Sequence, residues 1–192
     1  VQTQKMKGMF TTGASLALIG EVGSSVAIYK THFNEFVQAT QSREAARAAI
    51  TTQVDAMIAE LEKIQDQAGE ADPQARAMTA QHRLIQQARS QAQTYTYSAK
   101  PEYLSPALAA IDAARGNLKN LNQASPQSVQ GIDQSLVAFR ASVNQYSDSL
   151  AKAQQAQLAL NDDVTRLLDA SKKINANQLA QRTADVHQAD LL

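Results

Sequence analysis

This 192-residue chain contains no cysteine and no tryptophan. The first absence excludes disulfides, thiol catalysis and cysteine-ligated metal. Its 7 glycines and 4 prolines are few and act as punctuation. With 18 basic and 18 acidic residues the formal net charge is zero, so nothing points to nucleic acid or an anionic membrane surface. No apolar run reaches the ~18–20 residues that a membrane span needs, and no signal peptide is visible. The chain opens at Val1 rather than methionine, so it is expected to be a piece of something longer. Only 9 residues (5 Tyr, 4 Phe) are aromatic, and a core so poor in rings suits helix-on-helix packing better than a sheet.

Breaks fall at GEADP (69–73), at Ser98 to Pro101, and at Ser125-Pro126. In the first, Asp72 reads as an N-cap with Pro73 at the first helical position, and Ser125-Pro126 repeats that logic. Gly8, Gly13, Gly20 and Gly23 are expected to loosen the start. Between the breaks apolar residues recur at threes and fours. One stripe runs Val22, Val26, Tyr29, Phe33, Phe36, Thr40, Arg43, Arg47, Ile50, Val54, Met57, Leu61, Ile64. Another runs Val129, Ile132, Leu136, Phe139, Val143, Tyr146, Leu150, Ala153, Gln157, Leu160, Val164, Leu167, Ser171, Ile174. No segment alternates with period two, so no strand is predicted.

Helices are predicted over 15–68, 73–98, 102–121 and 126–190. At about 1.5 Å per residue the first and last are roughly 80 and 100 Å long, and the middle two about 40 and 30 Å. The short pair can therefore cover only part of the long pair. The expected architecture is all-α, two stacked four-helix bundles sharing two long helices. The upper module takes 42–152. The lower module takes 1–41 and 153–192, and it is incomplete because its apolar stripes have too few partners.

Four arginines stand out. Arg47 sits on the core stripe where a leucine is expected. Arg89 flanks Ala88 and Ala92. Arg115 falls on a stripe with Leu104, Leu108, Ile111 and Leu118, and Arg140 follows Phe139. Counting helical rise places all four within roughly 15 Å of one level. Ala88, Ala92, Ala113 and Ala114 would leave room between them, with Tyr95 and Tyr97 below and Tyr146 inward on the last stripe. Inward guanidinium demands an anion, and arginine binds carboxylate bidentately, so one reading is a small-anion pocket. The other is that these side chains snorkel outward or pair with Asp112, Asp133 and Asp148.

Other groups carry less. His32, His82 and His187 lack metal-ligand spacing and read as surface or packing residues, and no metal or cofactor is expected. No nucleophile motif or phosphate loop appears, and nothing supports catalysis. Gln157 reads as a buried polar residue of the lower bundle, and Arg43 as a residue at the junction of the halves.

Three segments resemble one family. LALIGEVGSSVAIYK (16–30), ARSQAQTYTYSAKPEYL (88–104) and SLVAFRASVNQYSDSLAKA (135–153) are similar to the helical bimodular sensor domain of bacterial methyl-accepting chemotaxis receptors. The resemblance implies a periplasmic domain of an inner-membrane receptor, flanked by transmembrane helices, usually a homodimer, sensing organic acids. It implies an acetate-like ligand above and a C4 dicarboxylate below. The upper-site arginine falls on Arg89 and its tyrosine on Tyr95, which favours the pocket reading. A lower-site arginine of the family falls on Gln157. The family's full domain is longer by about one and a half helices. Rival classes are a histidine-kinase sensor, a ligand-free helical spacer and an apolipoprotein-like lipid binder, the last disfavoured by narrow stripes and mixed charge.

Overall fold

The computed structural model describes residues 13–67, 74–121 and 126–189. They form four helices: α1 (Gly13–Gln67), α2 (Gln74–Ser98), α3 (Leu104–Gly116) and α4 (Pro126–Ala189). Among the described residues there is no strand, and no helix is long and apolar enough to cross a membrane. The caps expected at Asp72, Pro73 and Ser125, and the glycine at 8, lie outside the described residues. Gly13, Gly20 and Gly23 are helical, so the start of α1 is regular rather than broken.

The third helix is shorter than predicted. Pro101–Tyr103 and Asn117–Asn120 are 3-10 turns on either side of α3. A buried amide fixes the second turn. Gln81 of α2, 0% exposed, donates from Nε2 to the Ala114 carbonyl (2.9 Å) and accepts from Asn117 Nδ2 (2.8 Å). Asn120 Nδ2 in turn donates to Asn117 Oδ1 (2.7 Å). The last carbonyls of a helix lack intrahelical donors, and Gln81 supplies one from a neighbouring helix.

The chain divides into two compact units, 39–151 and 1–38 with 152–192, and α1 and α4 contribute residues to both. In the 39–151 unit four helices enclose one core. Ile50, Val54, Met57, Leu61 and Ile64 of α1 face Met78, Ile85 and Tyr95 of α2, Ile111 of α3, and Ile132, Leu136, Phe139, Val143 and Tyr146 of α4. The α1 and α4 members are the ones the 3/4 spacing predicts, and Ile111 belongs to the stripe read for the third helix. Each large aliphatic side chain so buried contributes about 1.5–3 kcal/mol. Ala46, Ala88, Ala92, Ala107 and Ala114, all buried, let the helix backbones approach closely.

In the other unit α1 and α4 run antiparallel. His32 meets Asp163, Glu21 meets Lys173, and Ser15 meets Asn177. The buried seam runs through Ser15, Ile19, Ala153, Ala156, Asp163 and Ala170. The predicted stripe is displaced here. Val26, Phe33 and Val164 are nearly half exposed, and Gln157 and Ser171 are exposed. The physical reason is that two helices bury a narrow seam, and small residues fill it better than large ones. The inward position expected of Gln157 is thus corrected to an outward one. Leu16, Ile28, Leu158, Leu168, Leu179 and Val186 are also exposed in this unit.

Candidate functional site

The end of α2 organises the polar groups of the four-helix unit. Ala99 follows the helix at φ 54°, a left-handed conformation that closes helix ends, and its N–H donates to the Tyr95 carbonyl at 2.8 Å. The next carbonyl, that of Thr96, accepts two side chains from other helices. Arg47 Nη2 of α1 donates to it at 2.7 Å, and Tyr146 Oη of α4 at 2.8 Å. Arg47 Nη2 also lies 3.3 Å from Tyr146 Oη, and Nη1 donates to Glu44 Oε2 at 3.1 Å. A cation at a helix C-terminus is favoured by the peptide dipoles.

Aromatic rings surround this contact. The Arg47 guanidinium carbon is 5.6 Å from the Tyr146 ring centre and 5.9 Å from that of Tyr97, within cation–π range. Tyr95 and Tyr146 meet edge to face at 5.4 Å and 75°. Both are sealed in the core, whereas Tyr97 is 79% exposed and does not close an internal space as expected. Arg47 Nε is buried without a hydrogen-bond partner. The inward position expected of Arg47 is therefore only partly realised. Its side chain is 39% exposed, and its fork is mostly spent on Thr96 and Glu44.

Arg89 differs. Seven residues before Thr96, about 10 Å along α2, its Nη1 lies 3.8 Å from Asp55 Oδ1 of α1, too far for a hydrogen bond. Among the described residues it is the one of the four arginines that makes no hydrogen bond to protein. Its side chain is 33% exposed, beside Ala88 and Ala92 at 0%.

Arg115 and Arg140 do not join this group. Arg115 binds Asp133 bidentately (2.6 and 3.2 Å), and Arg140 binds Asp112 (2.9 and 3.4 Å). Both pairs link α3 to α4 at the surface, where a charged head reaches water more cheaply than the core. The hydrogen bond that Arg115 donates to Asp133, then the charge of Asp133, raises the Arg115 pKa above its ordinary value, with Asp112 adding to the effect. Asp133 and Tyr146 are thirteen residues apart, about 20 Å along α4, so the single level expected for the four arginines is not kept. Beside Arg115, Leu118, Leu121 and Val129 line an open groove of about 560 Å³. Arg43 pairs with its neighbour Glu44 at 3.2 Å. Ala113, expected inside, is exposed.

Two groups escaped the sequence reading. The Thr96 carbonyl was findable, because a helix predicted to end at 98 leaves its last carbonyls free. The His32–Asp163 pair spans 131 residues, and no local spacing announces it.

Comparison with known proteins agrees with this all-helical layout. The helical bimodular sensor domain family matches residues 1–189. The methyl-accepting chemotaxis protein McpQ of Pseudomonas putida is 31% identical over 198 aligned positions, covering 100% of this chain. The chain spans 31% of that relative's length. With a match that runs almost from end to end, the chain belongs to the helical bimodular sensor domain family.

Proposed function

We propose that this chain is the ligand-binding domain of a methyl-accepting chemotaxis receptor, and that it recognises a small organic acid through Arg89. Family membership and the name of the relative support the receptor assignment. One observation carries the ligand class: among the described residues Arg89 holds a guanidinium fork with no hydrogen bond to protein, at the edge of a closed core. A fork of that kind suits a carboxylate. Asp55, 61% exposed, is a loose partner that a ligand carboxylate displaces into water. Tyr95 lies further along α2, close to Arg47 of α1 and Tyr146 of α4, and Arg47 Nε is a buried donor without a partner there.

In this reading the domain is periplasmic, sits between transmembrane helices of a longer inner-membrane protein, works as a homodimer, and senses rather than catalyses. The ligand draws Arg89, α2 shifts, and the Thr96 carbonyl passes the shift to α1 and α4 because it is bonded to both. A ligand moves such an equilibrium only by its differential affinity for the two packings. Whether Gln157 contacts a second ligand in the other unit is a separate matter. Its exposed position is open to one.

A spacer that binds nothing is the second reading. The filled core and the outward pairs of Arg115 and Arg140 favour it. Calorimetric titration with acetate, propionate, pyruvate, malate, succinate and citrate separates the two. Saturable heat with one acid, lost in Arg89→Ala, supports the sensor. Silence across the panel supports the spacer.

A further inference from the structure

The seam of the 1–38 and 152–192 unit holds a carboxylate. Asp163 of α4 is 2% exposed and is the one charged side chain that is buried among the described residues. Acidic side chains are almost never so buried without a partner. The partner is His32 of α1, whose Nδ1 donates to Asp163 Oδ2 at 2.6 Å. The carboxylate as acceptor fixes Nδ1 as the protonated nitrogen. The two sides differ in access. The His32 side chain is 30% exposed and the Asp163 side chain 3%, so protons reach the imidazole from solvent while the carboxylate is sealed.

The surroundings are apolar. Helical spacing sets half-buried Tyr29 and Phe36 one turn either side of His32, and half-buried Ala159, Leu160 and Leu167 one turn either side of Asp163. The charged neighbours are Lys30 and Glu35 on α1 and Asp162 and Arg166 on α4. All four are exposed, and none forms a hydrogen bond or ion pair with either member. The other histidines, His82 and His187, are exposed and lie elsewhere in the sequence.

We propose that His32 and Asp163 form a proton-binding contact that couples the packing of α1 on α4 in this unit to the acidity of the surroundings. Imidazole is the side chain whose charge ordinarily changes between pH 5 and 8. With the proton bound, imidazolium faces a buried carboxylate and both charges are matched. When the proton leaves, the carboxylate keeps a neutral N–H donor but loses its countercharge in a low-dielectric seam. The contact is thus strongest while the imidazole is charged and weakens as pH rises through its titration. Strong acid weakens it as well, by protonating Asp163. The helices that carry this contact also run through the four-helix unit, so the domain answers to protons in addition to any organic acid, and by residues separate from Arg89.

Hydrogen exchange on the full chain tests this without any ligand. Protection factors, corrected for intrinsic exchange, are measured at pH 5.5, 6.5 and 8 for peptides covering 25–38 and 156–170. The His32 ring resonances are followed in parallel by NMR. Protection in these peptides is expected to fall at least threefold between pH 5.5 and 8, with the midpoint of the His32 ring titration. In His32→Gln and Asp163→Asn it is expected to be low and flat across the same range. Protection that does not change with pH in the wild-type chain overturns the proposal. So does a fall whose midpoint differs from that of the His32 ring, or one that persists in both variants.

Discussion

Arg47 and Tyr146, ninety-nine positions apart in the sequence, donate to one acceptor, the carbonyl of Thr96. Three helices therefore meet at a single oxygen near the end of α2. Hydrogen bonds between neutral groups contribute about 0.5–1.5 kcal/mol, and those to charged groups about 1.5–3. Tyr146→Phe is expected to cost about 1 kcal/mol, since Arg47 still satisfies the carbonyl. Arg47→Met is expected to cost about 2 kcal/mol. Because the two donors share an acceptor, the double variant should lose more than the sum of the singles. Urea unfolding of the four proteins measures the coupling, and strict additivity would show that the shared carbonyl is energetically idle.

Ala99 occupies a left-handed conformation that costs a residue with a Cβ about 1–2 kcal/mol. Ala99→Gly removes that strain and adds some unfolded-chain entropy. A net stabilisation of about 0.5–1 kcal/mol is expected, read as a higher urea midpoint with an unchanged m-value. A destabilised variant would contradict the account of this helix end.

Gln81 has no contact with water and satisfies two groups, the Ala114 carbonyl and the Asn117 amide. Gln81→Ala leaves both unpaired and opens a cavity, so a loss of about 2–4 kcal/mol is expected. The loss should come with faster amide exchange across 114–121. A variant within ~0.5 kcal/mol of wild type, the scale of surface changes, would contradict the network's role.

The pairs Arg115–Asp133 and Arg140–Asp112 are exposed, and pairs of that kind contribute little and fade with salt. Asp112→Asn should cost less than about 1 kcal/mol, and Asp133→Asn should shift the urea midpoint only slightly. Both differences should shrink at about 1 M salt, where the screening length falls to a few ångströms. Neither variant should alter carboxylate affinity. A tenfold loss of affinity in either would bring these residues into the site.

Sequence and structure agree where periodicity and burial coincide. Ile50, Val54, Met57, Leu61 and Ile64 each belong to a core built from four helices, so their spacing alone reports it. They part where the partner count falls. Val26, Phe33 and Val164 obey the same spacing but stay nearly half exposed, because two helices bury only a narrow seam, filled mostly by small residues. The arginines show a second limit. Spacing puts Arg115 and Arg140 near an inward face, but a long side chain one position off that face reaches Asp133 or Asp112 at the surface. Arg89 was legible as a candidate, yet its distinguishing feature, a fork without hydrogen bonds, exists only once its neighbours are placed.

The central claim is that Arg89 is the anchor for an organic acid. Calorimetric titration of wild type, Arg89→Ala and Arg115→Ala against one panel of small carboxylates tests it most directly, with unfolding measured on the same samples. Among the described residues Arg89 pairs only with Asp55, at 3.8 Å, so its loss should cost under about 1 kcal/mol of stability. The account predicts saturable heat in wild type and Arg115→Ala, and at least a hundredfold weaker binding in folded Arg89→Ala. Equal affinity in all three proteins, or no binding by any of them, would contradict it.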